Sequence, residues 1–191
     1  ADLDSLVQQA QLNDRIHCHQ VALPNRSGVG TMILPDPAQS GWAKISGDGL
    51  GFQVPFTRLD DMDLPNPKFL KIDVEGHELE VLKGAETTLR RSKAFIVFES
   101  WLLPQNPGKT VAPWQFLADL GYVFFCPVWR SKDDTSLITV SNMPTGKNRE
   151  FQLVLIPCEL EHRMFGPEQW SYLACHGDRC DELARALTKT P

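Results

Sequence analysis

The sequence has no long apolar run and no excess of basic residues. No stretch approaches the roughly 20 uncharged apolar residues that a membrane span needs. Residues 1–12 are polar and contain no basic segment ahead of an apolar one, so no targeting signal is predicted. Lysine and arginine total 19 against 24 acidic residues, giving a formal charge of −5. We therefore expect neither a membrane nor nucleic acid as a partner.

Three common functional motifs are also absent. There is no Gly-x-Gly-x-x-Gly, and its nearest imitation, at 47–51, precedes a β-prone run and no helix, which argues against a phosphate-binding loop. There is no Gly-x-Ser-x-Gly, so a serine hydrolase has no support. His77 and Glu78 begin a zinc-protease pattern, but Val81 stands where the second histidine is required. These absences argue against a glycine-rich phosphate-binding loop, a serine hydrolase and a zinc protease.

What the sequence does contain is an ordinary globular composition. With 191 residues, of which 42% are hydrophobic and 23% charged, residues 1–191 are predicted to form a single domain. The five cysteines are an odd number, and three of them lie in apolar, strand-like runs. Buried free thiols are typical of a reducing compartment, so a cytoplasmic location is expected.

Apolar and amphipathic segments alternate along the chain. Residues 29–57, rich in Gly, Pro and Ser, predict a small β excursion with an irregular loop. Elsewhere the patterns predict strands at 15–23, 68–74, 94–99, 122–129 and 151–157, and helices at 3–12, 77–91, 113–120 and 181–187. Apolar strands joined by helices predict an α/β fold with a mostly parallel sheet. The last two strands, joined without a helix, predict an antiparallel pair at one edge.

Three carboxylates lie at or just past the ends of predicted strands: Asp73, Glu75 and Glu99. Ligands of open α/β sheets bind outside the carboxyl ends of the strands, so these residues mark the candidate site. Asp73 and Glu75 are two positions apart and would face the same way if the strand continued, and Gly76 allows a sharp backbone turn. The plainer alternative is that Glu75 only caps the following helix, whose start favours negative charge.

Three segments together resemble one known family. They are TRLDD at 57–61, FLKIDVEGHELEVLKGA at 69–85 and IVFE at 96–99. They closely resemble the FkbM family of S-adenosylmethionine-dependent methyltransferases, and the long middle segment is the most specific of the three. The order of the remaining strands fits as well, so the resemblance extends from about residue 3 to residue 157. It implies a Rossmann-like class I methyltransferase fold and O-methylation of sugar or natural-product hydroxyls.

The sequence departs from that family at its beginning. Family members start with a strand that ends in a glycine-rich segment, followed by a helix and a second strand that ends in an acidic residue. Neither strand is found here, so we expect an N-terminally incomplete domain that lacks strands one and two. In this alignment the segment 15–23 is strand three, 68–74 is strand four and 94–99 is strand five.

The resemblance also implies roles for individual residues. Val21 and Ala22, at the end of strand three, would border the adenine of S-adenosylmethionine, and Asp73 would contact the cofactor or the substrate. Glu75 and His77 are the candidates for the base that removes the acceptor proton. His77 has the more suitable ordinary pKa, and Glu75 is suitable only if burial raises its pKa. A divalent ion held by Asp73 and Glu75 would be a further possibility, but two carboxylates are too few to support it.

Two functions remain open. The first is an O-methyltransferase acting on a small-molecule or glycan hydroxyl, with the excursion around Ser40, Gly41 and Trp42 lining the acceptor pocket together with Trp101. The alternative is a non-catalytic, methyltransferase-like interaction module that does not bind the cofactor by itself. A sheet without its central strands would expose unpaired edges, so association into oligomers is also expected.

Overall fold

A computed structural model describes residues 2–34, 43–46, 51–131, 137–138 and 151–188 as an α/β protein with two sheets. Its helices are α1 Leu3–Gln9, α2 Glu78–Gly84, α3 Glu86–Ser92, α4 Pro107–Asp119 and α5 Cys180–Thr188. Its strands are β1 Gly28–Ile33, β2 Lys44–Ile45, β3 Phe52–Phe56, β4 Phe69–Ile72, β5 Phe95–Trp101, β6 Tyr122–Ser131, β7 Leu137–Ile138, β8 Phe151–Cys158 and β9 Gln169–His176. Within these residues no helix is both long and apolar enough to cross a bilayer.

The main sheet is mixed, which corrects the expectation of a mostly parallel sheet. Its strand order is β4-β5-β9-β6-β7, with β8 also paired to β6. Only β4 and β5 pair in parallel among the described strands, and every other pair in this sheet is antiparallel. The sheet is mixed because β9 lies between β5 and β6 and runs antiparallel to both. It thereby separates two strands that point the same way. The predicted antiparallel pair of the last two strands is confirmed as β6 and β8.

The predicted strand at 15–23 is wrong. The described residues pair this segment with a neighbour at one position only, where Ala22 forms a parallel bridge to Phe56. Its backbone N–H donates to the Pro55 carbonyl and its carbonyl accepts from the Thr57 N–H. An apolar run becomes a strand only when a partner supplies a ladder of hydrogen bonds, and a single bridge is not a ladder. Where the β excursion is predicted, residues 28–33, 44–45 and 52–56 form the three-stranded sheet β2-β1-β3, and part of the predicted irregular loop lies outside the described residues.

The predicted helix at 77–91 is two helices. Ala85, with φ −112° and ψ 6°, is the C-cap of α2 and the N-cap of α3, so the helical path is interrupted there. Helix α4 begins earlier than its apolar pattern indicates, because the Asn106 side chain accepts a hydrogen bond from the Lys109 N–H and caps it. Strand β9 has no counterpart among the predicted strands.

The core lies between α2, α3 and α4 and the main sheet. Trp114 of α4 is fully buried, and its ring packs against Phe98, Phe124 and Tyr172 from three neighbouring strands. Its indole N–H donates to the Ser100 hydroxyl over 3.1 Å. Large aromatic side chains with one satisfied polar atom contribute heavily to a core. This cluster holds β5 and α4 in place beneath the ends of the strands where the carboxylates lie.

Candidate active site

The chain leaves β4 through a tight turn at residues 74–77. The His77 N–H donates to the Val74 carbonyl over 3.3 Å, closing the turn. The two central residues both have positive φ, +52° at Glu75 and +90° at Gly76, which are values of a type I′ turn. Glycine adopts this region freely, but a residue with a Cβ pays about 1–2 kcal/mol for it. Backbone strain of this kind is concentrated at functional sites.

Glu78, the first residue of α2, stabilises this turn. Its side chain is buried, and Oε1 accepts hydrogen bonds from the N–H of Gly76 over 3.1 Å and from the N–H of Val74 over 3.4 Å. The N-cap of α2 is His77, which makes no side-chain capping bond. The interpretation of Glu75 as a helix cap is therefore wrong, and the stabilising carboxylate is three residues further along.

The turn brings three carboxylates together. Oxygen atoms of Asp73, Glu75 and Glu99 lie within 4.8 Å of one another. Strand β4 ends at Ile72, so the convergence of Asp73 and Glu75 comes from the turn and not from a continued strand. Asp73 is exposed and also forms an ion pair with Lys71, with a distance of 2.8 Å between Nζ and Oδ2.

Glu99, near the carboxyl end of β5, is the buried member of this group. Its Oε2 accepts from the indole N–H of Trp101 over 2.9 Å, and its Oε1 accepts from the side-chain amide of Gln169 over 2.7 Å. Both donors are neutral, so they orient the carboxylate without cancelling its charge. The charge of Glu99 consequently acts on Glu75.

The two residues that flank Gly76 have shifted pKa values. Burial raises the pKa of Glu75, and the negative charges of Glu99 and Asp73 raise it further, while Lys44 opposes them. Burial lowers the pKa of His77, with Lys109 and Lys44 adding to that effect and Glu78 opposing it. The pKa values of a carboxylate and an imidazole are thus shifted toward each other from opposite sides. Tuned groups of this kind are typical of acid–base sites.

Two cavities meet at Glu75 and His77. The larger, about 450 Å³, extends over the end of β5 and the start of α4, and its polar lining includes Lys44, Glu99, Trp101 and Lys109. The smaller, about 320 Å³, lies on the side of β4 and the 21–24 segment. Its wall is mostly apolar, with Val21, Ala22, Ile72, Val74 and Val81, and the Asp73 carboxylate lies among them. Glu75 and His77 line both cavities, so a group placed in either one reaches the same two side chains.

The structure brings together all five residues singled out in the sequence: Val21, Ala22, Asp73, Glu75 and His77. Trp101 lines the larger cavity, whereas Ser40, Gly41 and Trp42 lie outside the described residues. Sequence reasoning missed the role of Glu78 and the two lysines at the larger cavity. The available signal for Glu78 was a glutamate in the first helical turn directly after a strand-end glycine. The lysines carried no signal, because Lys44 and Lys109 lie far apart along the chain.

The arrangement offers distinct chemistry on its two sides. The mostly apolar wall with the carboxylates of Asp73 and Glu75 suits a flat ring that also carries hydroxyl or ammonium groups. The three carboxylate oxygens are of the type that hard cations bind, but no metal ligand is assigned to them, because Glu99 already has two donors and Asp73 a lysine.

The chain is similar to one protein family and to individual known proteins. The profile of the family described as "Methyltransferase FkbM domain" matches residues 5–124. A curated relative, the hexuronic acid methyltransferase AglP of Haloferax volcanii, is 44% identical over 55 residues, which are 29% of this chain and 19% of that protein. The crystal structure of methyltransferase FkbM from Methylobacillus flagellatus KT is similar over 51% of this chain and 22% of its own, with 20% identity and a TM-score of 0.37. The chain thus spans about a fifth of the length of these relatives.

Proposed function

The chain belongs to the FkbM methyltransferase family, and from that membership we propose that it transfers a methyl group from S-adenosylmethionine to a hydroxyl of a sugar, glycan or natural product. The observation that carries this proposal is the meeting of two cavities at Glu75 and His77. Methyl transfer needs a donor and an acceptor on opposite sides of one point, with a base beside the acceptor oxygen. Two adjoining cavities that share two titratable side chains meet that requirement.

The smaller cavity is proposed as the cofactor side. The apolar side chains of Val21 and Ala22 suit the packing of an adenine ring, and the Asp73 carboxylate can accept hydrogen bonds from hydroxyl or ammonium groups. These residues therefore fit S-adenosylmethionine. When bound, the cofactor supplies the methyl carbon, to which the acceptor oxygen bonds as the bond from that carbon to the sulfonium sulfur breaks and its electron pair goes to the sulfur.

The larger cavity is proposed as the acceptor side. It combines an indole ring at Trp101 with carboxylates at Glu75 and Glu99 and ammonium groups at Lys44 and Lys109. An aromatic face beside charged hydrogen-bonding groups suits a polyhydroxylated ring. A hexuronic acid, the acceptor in the name of the Haloferax relative, carries a carboxylate that either lysine could pair with. A sugar hydroxyl is therefore the proposed acceptor.

Glu75 is proposed as the base, with His77 as the alternative for the same proton. A base is most effective when its pKa approaches the working pH, and the raised pKa of Glu75 moves the carboxylate in that direction through burial and the charges of Glu99 and Asp73. The lowered pKa of His77, caused first by burial, keeps the imidazole neutral and able to accept a proton. Either side chain would take the hydroxyl proton as the bond between oxygen and carbon forms.

The experiment that tests the proposal alters each cavity with its own substitution. Binding of S-adenosylmethionine is measured by calorimetry, and transfer of its tritiated methyl group is measured on neutral and acidic sugars. Ala22→Phe fills the smaller cavity and is therefore expected to abolish cofactor binding. The bridge between Ala22 and Phe56 involves only the backbone, so the variant is expected to fold. Trp101→Ala is expected to preserve cofactor binding and to raise the KM for the acceptor.

Circular dichroism of both variants provides the folding control. Cofactor binding lost with Ala22→Phe and kept with Trp101→Ala supports the assignment of the two sides. If the wild-type chain neither binds S-adenosylmethionine nor transfers a methyl group to any sugar, the enzyme proposal is overturned. In that case the non-catalytic interaction module becomes the better explanation.

A further inference from the structure

Glu78 is a buried carboxylate that the proposed reaction does not use directly. We infer that Glu78 is a positioning residue: its carboxylate holds the turn at residues 74–77 so that the Glu75 carboxylate stays at the boundary between the two cavities. The inference rests on the proposed function, because it concerns the geometry of the proposed base. The main evidence is that one oxygen of Glu78, Oε1, accepts hydrogen bonds from the N–H groups of both Val74 and Gly76.

The two hydrogen bonds bracket Glu75. The N–H of Gly76 belongs to the peptide unit that follows Glu75, and the N–H of Val74 belongs to the unit that precedes Val74. Fixing backbone on both sides of a residue restricts the direction in which its side chain leaves the chain. The Glu75 carboxylate is therefore directed toward Asp73 and Glu99, whose oxygens lie within 4.8 Å.

The turn needs this support from outside. Glu75 has φ +52°, a region that residues with a Cβ rarely adopt. The hydrogen bond that closes the turn, from the His77 N–H to the Val74 carbonyl, is long at 3.3 Å, whereas the bond from the Gly76 N–H to Glu78 is shorter, at 3.1 Å. A charged acceptor makes stronger hydrogen bonds than a neutral one, and burial keeps water from competing for the same N–H groups. Glu78 is only 5% exposed, so its bonds to the turn are protected in this way.

The position of Glu78 favours this role over ordinary helix capping. A capping side chain precedes the helix and accepts from the N–H groups of its first turn. Glu78 is instead the first residue of α2 and reaches backwards, to N–H groups that lie before the helix. Its carboxylate thus serves the turn that carries Glu75.

Two substitutions of similar size separate positioning from packing. Glu78→Met retains the buried volume but has no oxygen acceptor, whereas Glu78→Gln retains one oxygen that can accept from the turn. We expect Glu78→Met to lower kcat about 100-fold, the loss that a displacement of about 1 Å can cause at a reacting centre. We expect Glu78→Gln to restore most of that loss, and neither variant to change the dissociation constant for S-adenosylmethionine. Glu86→Gln, on the exposed face of α3, is the matched control and should retain wild-type values.

A second measurement follows the turn without any methyl transfer. Amide hydrogen exchange at Gly76, observed by NMR, reports on its hydrogen bond to Glu78. We expect slow exchange in the wild type and in Glu86→Gln, faster exchange in Glu78→Met and an intermediate rate in Glu78→Gln. If Glu78→Met does not fold, Glu78→Asp takes its place: it retains the charge but is one methylene shorter, and it should show faster Gly76 exchange together with a lower kcat.

The outcomes separate this inference from the proposed function. An unchanged kcat or unchanged Gly76 exchange in Glu78→Met overturns the positioning role. A parallel loss of kcat and of Gly76 protection, both restored by Glu78→Gln, establishes it. If the wild type transfers no methyl group while Gly76 protection still depends on Glu78, the hold on the turn stands and the proposed function is what has failed.

Discussion

Asp60 and Glu75 are two carboxylates whose surroundings differ in almost every respect. The side chain of Asp60 is 6% exposed, and its oxygens accept from the backbone N–H groups of Thr87 and Thr88 over 3.0 and 2.8 Å. Arg58 lies 3.2 Å away as a salt-bridge partner. Glu75 has Glu99 and Asp73 as its close neighbours instead.

The two environments shift the two pKa values in opposite directions. Burial acts to raise the pKa of Asp60, but the hydrogen bonds from Thr88 and Thr87 outweigh burial and lower it overall. Burial raises the pKa of Glu75, and the neighbouring negative charges add to the increase. A carboxylate surrounded by donors stabilises the fold, whereas one placed among like charges on a left-handed turn costs stability and gains reactivity. Asp60 thus ties the first turn of α3 to the 3-10 helix at Leu59–Asp61, whereas Glu75 is the residue that we propose as the base.

The largest effect is expected when Glu75 loses its charge. Glu75→Gln retains size and shape but cannot take a proton, so methyl transfer should fall by about 100- to 10,000-fold, the range measured for a missing general base. The unfolding free energy at neutral pH should increase, because repulsion from Glu99 and Asp73 disappears. Transfer assays and urea unfolding measure the two quantities on the same preparation. His77→Gln is the parallel variant.

A loss confined to His77→Gln would move the role of base from Glu75 to His77. A loss in both variants of similar size would mean that the two side chains act as one unit, since groups that act together are not additive. Full activity in Glu75→Gln would contradict the role proposed for Glu75, because the residue would then have no chemical reason for its strained position.

The next effect concerns stability and comes from Asp60. Asp60→Ala removes the acceptor for two N–H groups at the start of α3, and loss of such a cap costs about 1–2 kcal/mol. It also removes the closer of the two ion pairs of Arg58 and leaves the one to Asp61, at 3.9 Å. Urea unfolding should show that loss, while kcat per folded molecule stays at the wild-type value. A fall in kcat without a fall in stability would contradict the structural role assigned to Asp60.

A smaller effect on stability is expected from the backbone strain at Glu75, and two substitutions measure it independently of the charge. Glu75→Gly and Glu75→Ala both remove the carboxylate, but only glycine adopts φ +52° without a steric penalty. We expect Glu75→Gly to be more stable than Glu75→Ala by about 1 kcal/mol, and both to be inactive. Equal stabilities of the two variants in urea unfolding would show that the left-handed conformation of Glu75 carries no strain.

Much of the candidate site was predictable from the sequence, and what was not predictable has physical causes. Asp73, Glu75 and His77 were found because strand-end carboxylates beside a glycine are local features. Strands β4 and β5 were predicted because their apolar runs are continuous. The two tuned residues share one turn, so no long-range information was needed to place them together.

What failed depended on pairing between distant parts of the chain. The apolar pattern at 15–23 cannot reveal that only Ala22 finds a partner. Strand β9 was missed, although it pairs with β5 and β6 in the middle of the sheet, and this omission turned a mixed sheet into a predicted parallel one. The role of Asp60 was also invisible, because its partners lie 27 and 28 residues away on α3.

The smallest effect is the pH dependence of stability, where the two carboxylates have opposite signs. The lowered pKa of Asp60 means that its stabilisation is fully present above its unfolded pKa of about 3.9 and is lost as the pH falls through the lower folded value. The raised pKa of Glu75 means that its ionisation costs stability at neutral pH, a cost that disappears as the pH falls through the folded value. Urea unfolding between about pH 3 and pH 7 should therefore show the difference between wild type and Asp60→Ala shrinking only at the acid end. The difference in unfolding free energy between wild type and Glu75→Gln should begin to shrink at a higher pH than the difference for Asp60→Ala. If the Asp60→Ala difference shrinks at the higher pH instead, the opposite shifts of the two pKa values are contradicted.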